Sequence, residues 1–489
     1  MKKLKDILKR TKHISVYGDC NIEISQVDFD SRKIVQGSLF VAVKGTQVDG
    51  HNYIAKTIEN GATVIICESL PKSLANNVCY VLVDDSSKAL ARIASEFYDN
   101  PSEKIKLIGI TGTNGKTTIA TLLYRLFLKL GYNAGLLSTV ENFIGERKLV
   151  SSHTTPDSIQ INKLLGDMVE ANCEFCFMEV SSHAIHQNRT EGLNFTGGIF
   201  TNLTHDHLDY HKTFRDYLNV KKKFFDDLPK TAFAITNADD KNGKVMLQNC
   251  NAQKKFYALK SMADYKCKLL EQHFDGMLLH IQNTEVWTHF IGRFNAYNLL
   301  AVYATSLELG IDKHEALKII SHLKPVNGRF ESLRSNSGIL AIVDYAHTPD
   351  ALKNVLETIW QIRLANNKII TVVGAGGNRD KSKRPLMGKI VSELSDRVIF
   401  TSDNPRNEEP EQIINEIKEG VSEKNLSKVI SISNRSEAIK TACLLATSGD
   451  IVLIAGKGHE TYQEINGVRC HFDDKEIIKE IFLQIINPN

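Results

Sequence analysis

The hydrophobic pattern along the chain is one of short apolar runs separated by amphipathic stretches, in three successive groups. Leu39-Phe40-Val41-Ala42-Val43, Ala62-Thr63-Val64-Ile65-Ile66-Cys67 and Val78-Cys79-Tyr80-Val81-Leu82-Val83 read as strands of a small α/β unit, followed by an amphipathic helix over Lys88 to Tyr98. Asn100-Pro101-Ser102 then punctuates the chain as a boundary. The second group opens at Ile105-Lys106-Leu107-Ile108-Gly109-Ile110. It continues through Phe175-Cys176-Phe177-Met178-Glu179, Gly198-Ile199-Phe200-Thr201 and Ala232-Phe233-Ala234-Ile235-Thr236, and ends in helices over Ala296 to Leu309 and Lys313 to Leu323. The third starts near Phe330. Its strands fall at Ile339 to Asp344, Ile369 to Gly374, Val398 to Ser402, Val429 to Ser433 and Ile451 to Ala455, with helices such as Glu411 to Val421 and Glu437 to Ala446 between them. Strands alternating with helices predict mostly parallel sheets wound on both faces. The expected fold class is therefore α/β, divided at 1–100, 101–329 and 330–489.

Composition narrows the class further. A chain of 489 residues is too long for one ordinary core, and 42% hydrophobic with 24% charged residues is the balance of a globular protein in water. A net charge of only +3 gives no nucleic-acid footprint and no membrane-binding surface. No apolar run approaches the roughly 20 residues of a spanning helix. Met1 to Arg10 alternates Lys with Leu and Ile and reads as a surface helix, not a secretory signal, so the expected location is the cytoplasm. The nine cysteines follow no metal-binding pattern. Cys173 and Cys176 lie in an apolar run and are expected to be buried, reduced thiols.

The strongest local signal is Gly109-Ile110-Thr111-Gly112-Thr113-Asn114-Gly115-Lys116-Thr117-Thr118, entered by an apolar strand and left by a helical pattern. Glycines let such a loop curl so that its N–H groups and the helix N-terminus face phosphate oxygens. Lys116 would reach the terminal phosphates and the Thr117 hydroxyl would ligate Mg²⁺. One detail departs from the strict phosphate-loop spacing: its first glycine belongs at Ile110, and Gly109 stands one position early. The loop implies ATP or a similar nucleotide but not what is done with it.

Together with that loop, Met178-Glu179-Val180-Ser181-Ser182-His183, Asp206-His207-Leu208-Asp209, Gly292-Arg293-Phe294-Asn295-Ala296-Tyr297-Asn298, Gly328-Arg329-Phe330-Glu331 and Asp344-Tyr345-Ala346-His347-Thr348-Pro349-Asp350 resemble the Mur ligases over essentially the whole chain. The resemblance implies an N-terminal domain that binds a UDP-sugar, a central phosphate-loop ATPase and a C-terminal, Rossmann-like domain that brings an amino acid. It implies ATP-driven formation of an acyl phosphate, followed by attack of an amine, in a monomer acting on small molecules. It assigns Glu179 and His207, with a carbamylated Lys221, to Mg²⁺. Carbamylation would turn a cation into an anionic oxygen ligand, which suits Mg²⁺. Lys222 and Lys223 follow directly, and a solvated basic face is the plain alternative. Asn295, Asn298, Arg329 and Asp344 match positions that hold the nucleotide; for Arg329 an interdomain ion pair is the alternative.

Within the family, Asp30-Ser31-Arg32 and Lys44-Gly45-Thr46-Gln47-Val48-Asp49-Gly50 resemble the UDP-sugar contacts of enzymes adding the third residue of the peptide stem. His153, Thr154 and Thr155, with Ser181, Gln187 and Arg189, resemble their contacts to the muramoyl-dipeptide. Asp403-Asn404-Pro405-Arg406 resembles the signature of the members that take meso-diaminopimelate, where Arg406 would grip the far carboxylate through parallel hydrogen bonds. Arg384 is expected as a second cation there, with Gly456 and Glu460 beside the distal ammonium. The readings to be weighed against this are a lysine-adding ligase, a folylpolyglutamate synthetase-like ligase, a phosphate-loop switch protein and a dinucleotide enzyme. The last fails at Gly374-Ala375-Gly376-Gly377, whose spacing does not fit the fingerprint.

Overall fold

The computed structural model describes residues 1–45, 48–151, 153–206 and 208–486. Each group of apolar runs becomes a sheet. The first is five-stranded, ordered Ser15–Tyr17, Cys79–Leu82, Ala62–Cys67, Ser38–Val41, Gln26–Asp28, parallel except at the Ser15–Tyr17 edge. The second is 11-stranded. Its parallel centre runs Ala134–Leu137, Phe175–Glu179, Lys106–Thr111, Gly197–Phe200, Phe233–Asn237, Gln253–Ala258. The third is six-stranded, ordered Glu331–Arg334, Leu340–Asp344, Ile451–Ala455, Ile369–Val373, Arg397–Phe400, Val429–Ser431, with only the first pair antiparallel. The expected fold class, α/β in three domains, holds.

In the central unit, alternation along Lys106–Thr111 sets the two faces. Ile108 and Ile110 join the core under helices Lys116–Lys129 and Arg293–Glu308. Leu107 joins Met178, Phe200, Phe224 and Phe225 on the other face. Gly109 explains the loop's irregular spacing: a Cβ there would lie 2.6 Å from the Phe224 ring. It is a packing glycine that lets helix Phe214–Asp226, which carries Lys221, lie close on the sheet.

Two parts differ from the sequence pattern. The central sheet is extended by the antiparallel pair Glu141–Ile144 and Arg147–Val150 at one edge and by Tyr265–His273, Gly276–Ile281 and Thr284–Thr288 at the other. Their apolar residues come singly, in pairs or, at Met277 to Leu279, three together between polar ones, so no long apolar run marks them. Met1 to Arg10 is not a surface helix throughout: Lys2–Lys3 pairs as a strand, and the short helix Leu4–Ile7 buries Leu4 and Ile7 in the N-terminal core. Cys173 and Cys176 are buried and free, and burial raises both thiols' pKa. Among the described residues no helix is long and apolar enough to cross a membrane.

Candidate active site

The phosphate loop leaves the carboxyl end of the central strand Lys106–Thr111, at the point where the sheet order turns. Gly115, at φ 91°, starts helix Lys116–Lys129, and Gly112 passes so near Thr201 that a Cβ would stand 1.9 Å from its hydroxyl. The loop is fastened by Thr113 N to the Asn202 carbonyl (2.8 Å) and Asn114 N to Asn202 Oδ1 (2.9 Å). Thr117 and Thr118 begin the helix, both buried. Lys116 Nζ bonds the loop's own carbonyls at Gly112 (3.0 Å) and Thr113 (2.8 Å). Burial draws its pKa down while Glu179 and Asp206 oppose the shift. Asn298 donates to Asn295 Oδ1 (3.1 Å), and its own Oδ1 lies 2.6 Å from where a Gly115 Cβ would be, so both amides sit beneath the loop.

Glu179 ends the neighbouring strand, fully buried. Its Oε1 takes Thr139 N at 2.8 Å, and its Oε2 has no hydrogen-bond partner among the described residues. An orphaned carboxylate oxygen beside a phosphate loop is the donor a hard divalent cation requires. Lys221 faces the same space, with Nζ 2.9 Å from the Gly112 carbonyl and 3.4 Å from Thr111 Oγ1, over the Tyr217 ring. Burial, and then the Lys116 charge, push its pKa well below the ordinary lysine value. The neighbours are distinct. Lys222 is spent on Asp226 (2.7 Å), and Lys223 reaches Asp227 (3.1 Å) at the surface. His207 lies outside the described residues, and among those described no three His, Cys, Asp or Glu side chains form a metal cluster.

From Glu179 a polar chain runs toward the N-terminal domain. Thr155 Oγ1 donates to the Glu179 carbonyl (2.8 Å) and accepts Ser181 N (3.0 Å). Thr154 takes the Thr139 hydroxyl (3.0 Å). Arg189 donates to the Thr155 carbonyl (2.7 Å) and to Gln187 Oε1. Ser181 caps helix Ser182–His186, and His153 is exposed beside them. Ser31 opens the turn Ser31–Lys33, and Thr46 and Gln47 lie outside the described residues.

Across the cleft, the loops after Leu340–Asp344, Ile369–Val373, Arg397–Phe400 and Ile451–Ala455 gather at the carboxyl ends of the third sheet. Arg329 bridges the two domains, with Nη2 3.3 Å from Thr117 Oγ1 and its guanidinium 4.3 Å from the Tyr345 ring centre. Asp344, whose pKa burial raises, spends its carboxylate on the N–H groups of Phe330 (2.6 Å) and Ala346 (2.7 Å), so it shapes the segment that aims Arg329. Asn114 Nδ2 crosses to Asp350 Oδ2 at 3.1 Å.

Arg406 holds a left-handed φ of 52°, its Nη1 on the Gly377 carbonyl at 2.8 Å. Pro405 packs so near that a Cβ on Gly377 would meet its carbonyl at 1.9 Å, and one on Gly456 would meet Asp403 Oδ2 at 2.5 Å. Asn404 Nδ2 donates to Glu460 Oε2 at 2.8 Å. Arg384 needs correction. Its guanidinium is wholly buried and both Nη groups are spent, on Glu408 (2.9 and 3.1 Å), Glu416 and the Gly376 carbonyl (3.1 Å), while Nε is sealed from solvent without a partner, so Arg384 braces the wall of the pocket and presents no exposed edge to a ligand. The exposed Arg379 is the second cation near Arg406: a Gly376 Cβ would stand 3.6 Å from Arg379 Cγ and 3.0 Å from Arg406 Nη1. Arg379 and Asn202 escape a sequence reading because only the folded loops bring them to the site, while Asp350 and Lys457 lie in motifs the sequence marks and gain a role only from their folded contacts.

Three imidazoles, His211 buried and His347 and His459 half-buried, give a pH expectation. Burial lowers His211 and His347 to about 4 and His459 to about 3, from an ordinary 6.5. Below 6.5 the unfolded chain takes up protons that the folded chain refuses, so the stability these groups contribute is complete above 6.5 and is lost as the pH falls toward 4. The urea midpoint is expected to be lower at about pH 5 than at about pH 7.5; equal midpoints would contradict this burial.

Family models match in three places: "Mur ligase family, catalytic domain" at 23–98, "Mur ligase middle domain" at 110–306 and "Mur ligase, glutamate ligase domain" at 328–458. The chain belongs to the Mur ligase family. It is 57% identical over 480 residues to a UDP-N-acetylmuramoyl-L-alanyl-D-glutamate–2,6-diaminopimelate ligase of Phocaeicola vulgatus, covering 98% of this chain and 99% of that one. It is 56% identical, at the same coverage, to the protein of that name from Bacteroides fragilis. A solved structure bearing the same name is similar with a TM-score of 0.70 at 31% identity, over 99% of both chains.

Proposed function

We propose that this chain is an ATP-dependent ligase of peptidoglycan synthesis that joins meso-2,6-diaminopimelate to the D-glutamate carboxylate of UDP-N-acetylmuramoyl-L-alanyl-D-glutamate. Residues 1–100 hold the UDP-sugar, 101–329 the nucleotide and 330–489 the amine, in a cytoplasmic monomer where its nucleotide substrates are found. The observation that carries the reading is the meeting of the phosphate loop with the amino-acid loops, through Arg329 on Thr117 and Tyr345 and through Asn114 on Asp350.

In the first step a glutamate carboxylate oxygen attacks the γ-phosphorus, the bond to the bridging oxygen breaks, and ADP leaves. In the second the amine attacks the acyl phosphate carbon, the C–O bond to phosphate breaks, and the amine surrenders a proton. Two anions must meet, so cationic groups have to stand between them. Lys116 and Arg329 supply fixed positive charge on the nucleotide side. Mg²⁺ would be held by Thr117, Glu179, His207 and the Lys221 carbamate, and when bound it supplies charge neutralisation at the phosphates. The low pKa of Lys221 supports the carbamate, because only a neutral amine adds to CO₂. Thr154, Thr155, Ser181, Gln187 and Arg189 orient the dipeptide; Arg406 and Arg379 take the distal carboxylate of the amine, and Glu460 its ammonium.

Phosphate release is expected only when ATP, the UDP-dipeptide and diaminopimelate are all present. Release that is indifferent to the UDP-dipeptide would sink the assignment and favour a plain nucleotide-hydrolysing switch. Release with a pteroylglutamate in its place would favour the folate ligases.

A further inference from the structure

The side-chain amide of Asn404 can point only one way. Its Oδ1 meets Lys457 Nζ at 2.9 Å and the Glu464 backbone N–H at 3.0 Å. An ammonium and a peptide N–H have no lone pair to offer, so the atom between them must be the carbonyl oxygen. The NH₂ is thereby turned to Glu460 Oε2. Lys457 is wholly buried. Its Nζ also donates to the Tyr462 carbonyl (2.6 Å) and lies 3.6 Å from both Asp403 Oδ1 and Glu460 Oε2. It keeps apart two carboxylates that would repel each other without it. The strand Tyr462–Ile465 that receives Lys457 also takes Arg406 N on the Glu464 carbonyl at 3.0 Å, so the pocket's cation and its carboxylate hang from one frame.

We propose that Lys457 is the positioning residue of the amine pocket: it locks the Asn404 amide and through it aims the free oxygen of Glu460 at the distal ammonium of the substrate. A side chain with no exposure does not touch that substrate; it acts at one remove. This rests on the diaminopimelate reading above, and the two fail separately.

The distinguishing probe is 2-aminopimelate, which keeps the far carboxylate and lacks the far amine. Wild type is expected to prefer diaminopimelate over it by roughly 10²-fold or more in kcat/KM, because the analogue leaves Glu460 without its partner. Lys457→Met frees the Asn404 amide to flip and is expected to shrink that preference by on the order of tenfold, with KM for ATP and the UDP-dipeptide within about twofold of wild type. Asn404→Asp keeps the shape and the oxygen facing Lys457 but sets an oxygen against Glu460, and is expected to do the same with Lys457 intact. Asn404→Asp decides the matter if Lys457→Met does not fold. An unchanged preference in either folded variant overturns the proposal, as does a loss shared equally by all three substrates. A wild-type enzyme that takes lysine as readily as diaminopimelate overturns the diaminopimelate reading instead.

Discussion

Replacing Lys221 by alanine is expected to lower kcat by roughly 10³-fold or more, while Lys222→Ala stays within about twofold of wild type. The two lysines are adjacent, yet the fold gives them opposite surroundings. Lys222 lies in an i,i+4 pair with Asp226 on the helix flank, an interaction worth a few tenths of a kcal/mol. Lys221 is 1% exposed against the phosphate loop, where Gly112 and Thr111 are its neighbours and Lys116 is a second cation. Two bare ammonium groups in so dry a place are costly, and the proposed addition of CO₂ to Lys221 would replace one of them with an anion. Wild-type turnover is therefore also expected to fall in buffers stripped of CO₂ and to recover when bicarbonate is returned. Steady-state phosphate release checks both; full activity in the Lys221→Ala protein would remove the carbamate from the mechanism.

The second large effect concerns the choice of amine. Wild type is expected to favour meso-diaminopimelate over L-lysine by ~10⁴-fold in kcat/KM, because lysine leaves the Arg406 edge without its carboxylate in a half-buried site. Arg406→Ala should cost diaminopimelate most of that advantage and change lysine little. Arg406→Lys should recover only part of it, since an ammonium cannot make two parallel bonds. Competition between the two amines in one reaction, read by mass of the product, gives the ratio directly; a ratio near one would end the assignment.

Much of this was legible in the chain. The strands that carry the site are continuous apolar runs because each is buried on both faces, as Phe175–Glu179 and Ile451–Ala455 are, and such runs need no context to be seen. The sheet extensions at Tyr265–His273 and Thr284–Thr288 are half-exposed, so their pattern is diluted by charges. In the site, residues fixed by the loop's own geometry, such as Lys116 and Thr117, could be named from spacing alone. Arg384 could not be told from Arg379 that way. Both are cations in one segment, and only the tertiary approach of Glu408 and Glu416 decides that the first is tied off. Gly109 was likewise opaque, its reason being an aromatic ring more than a hundred residues away.

The bond from Asn114 to Asp350 joins the turn that receives the nucleotide to the first turn of helix Pro349–Ile362 in the amine-bearing lobe. With the lobes parted, that turn loses a brace just where the γ-phosphate must be steadied. The geometry of the nucleotide turn therefore depends on where the amine-bearing lobe stands, and any shift of that lobe is felt at the turn through a single amide.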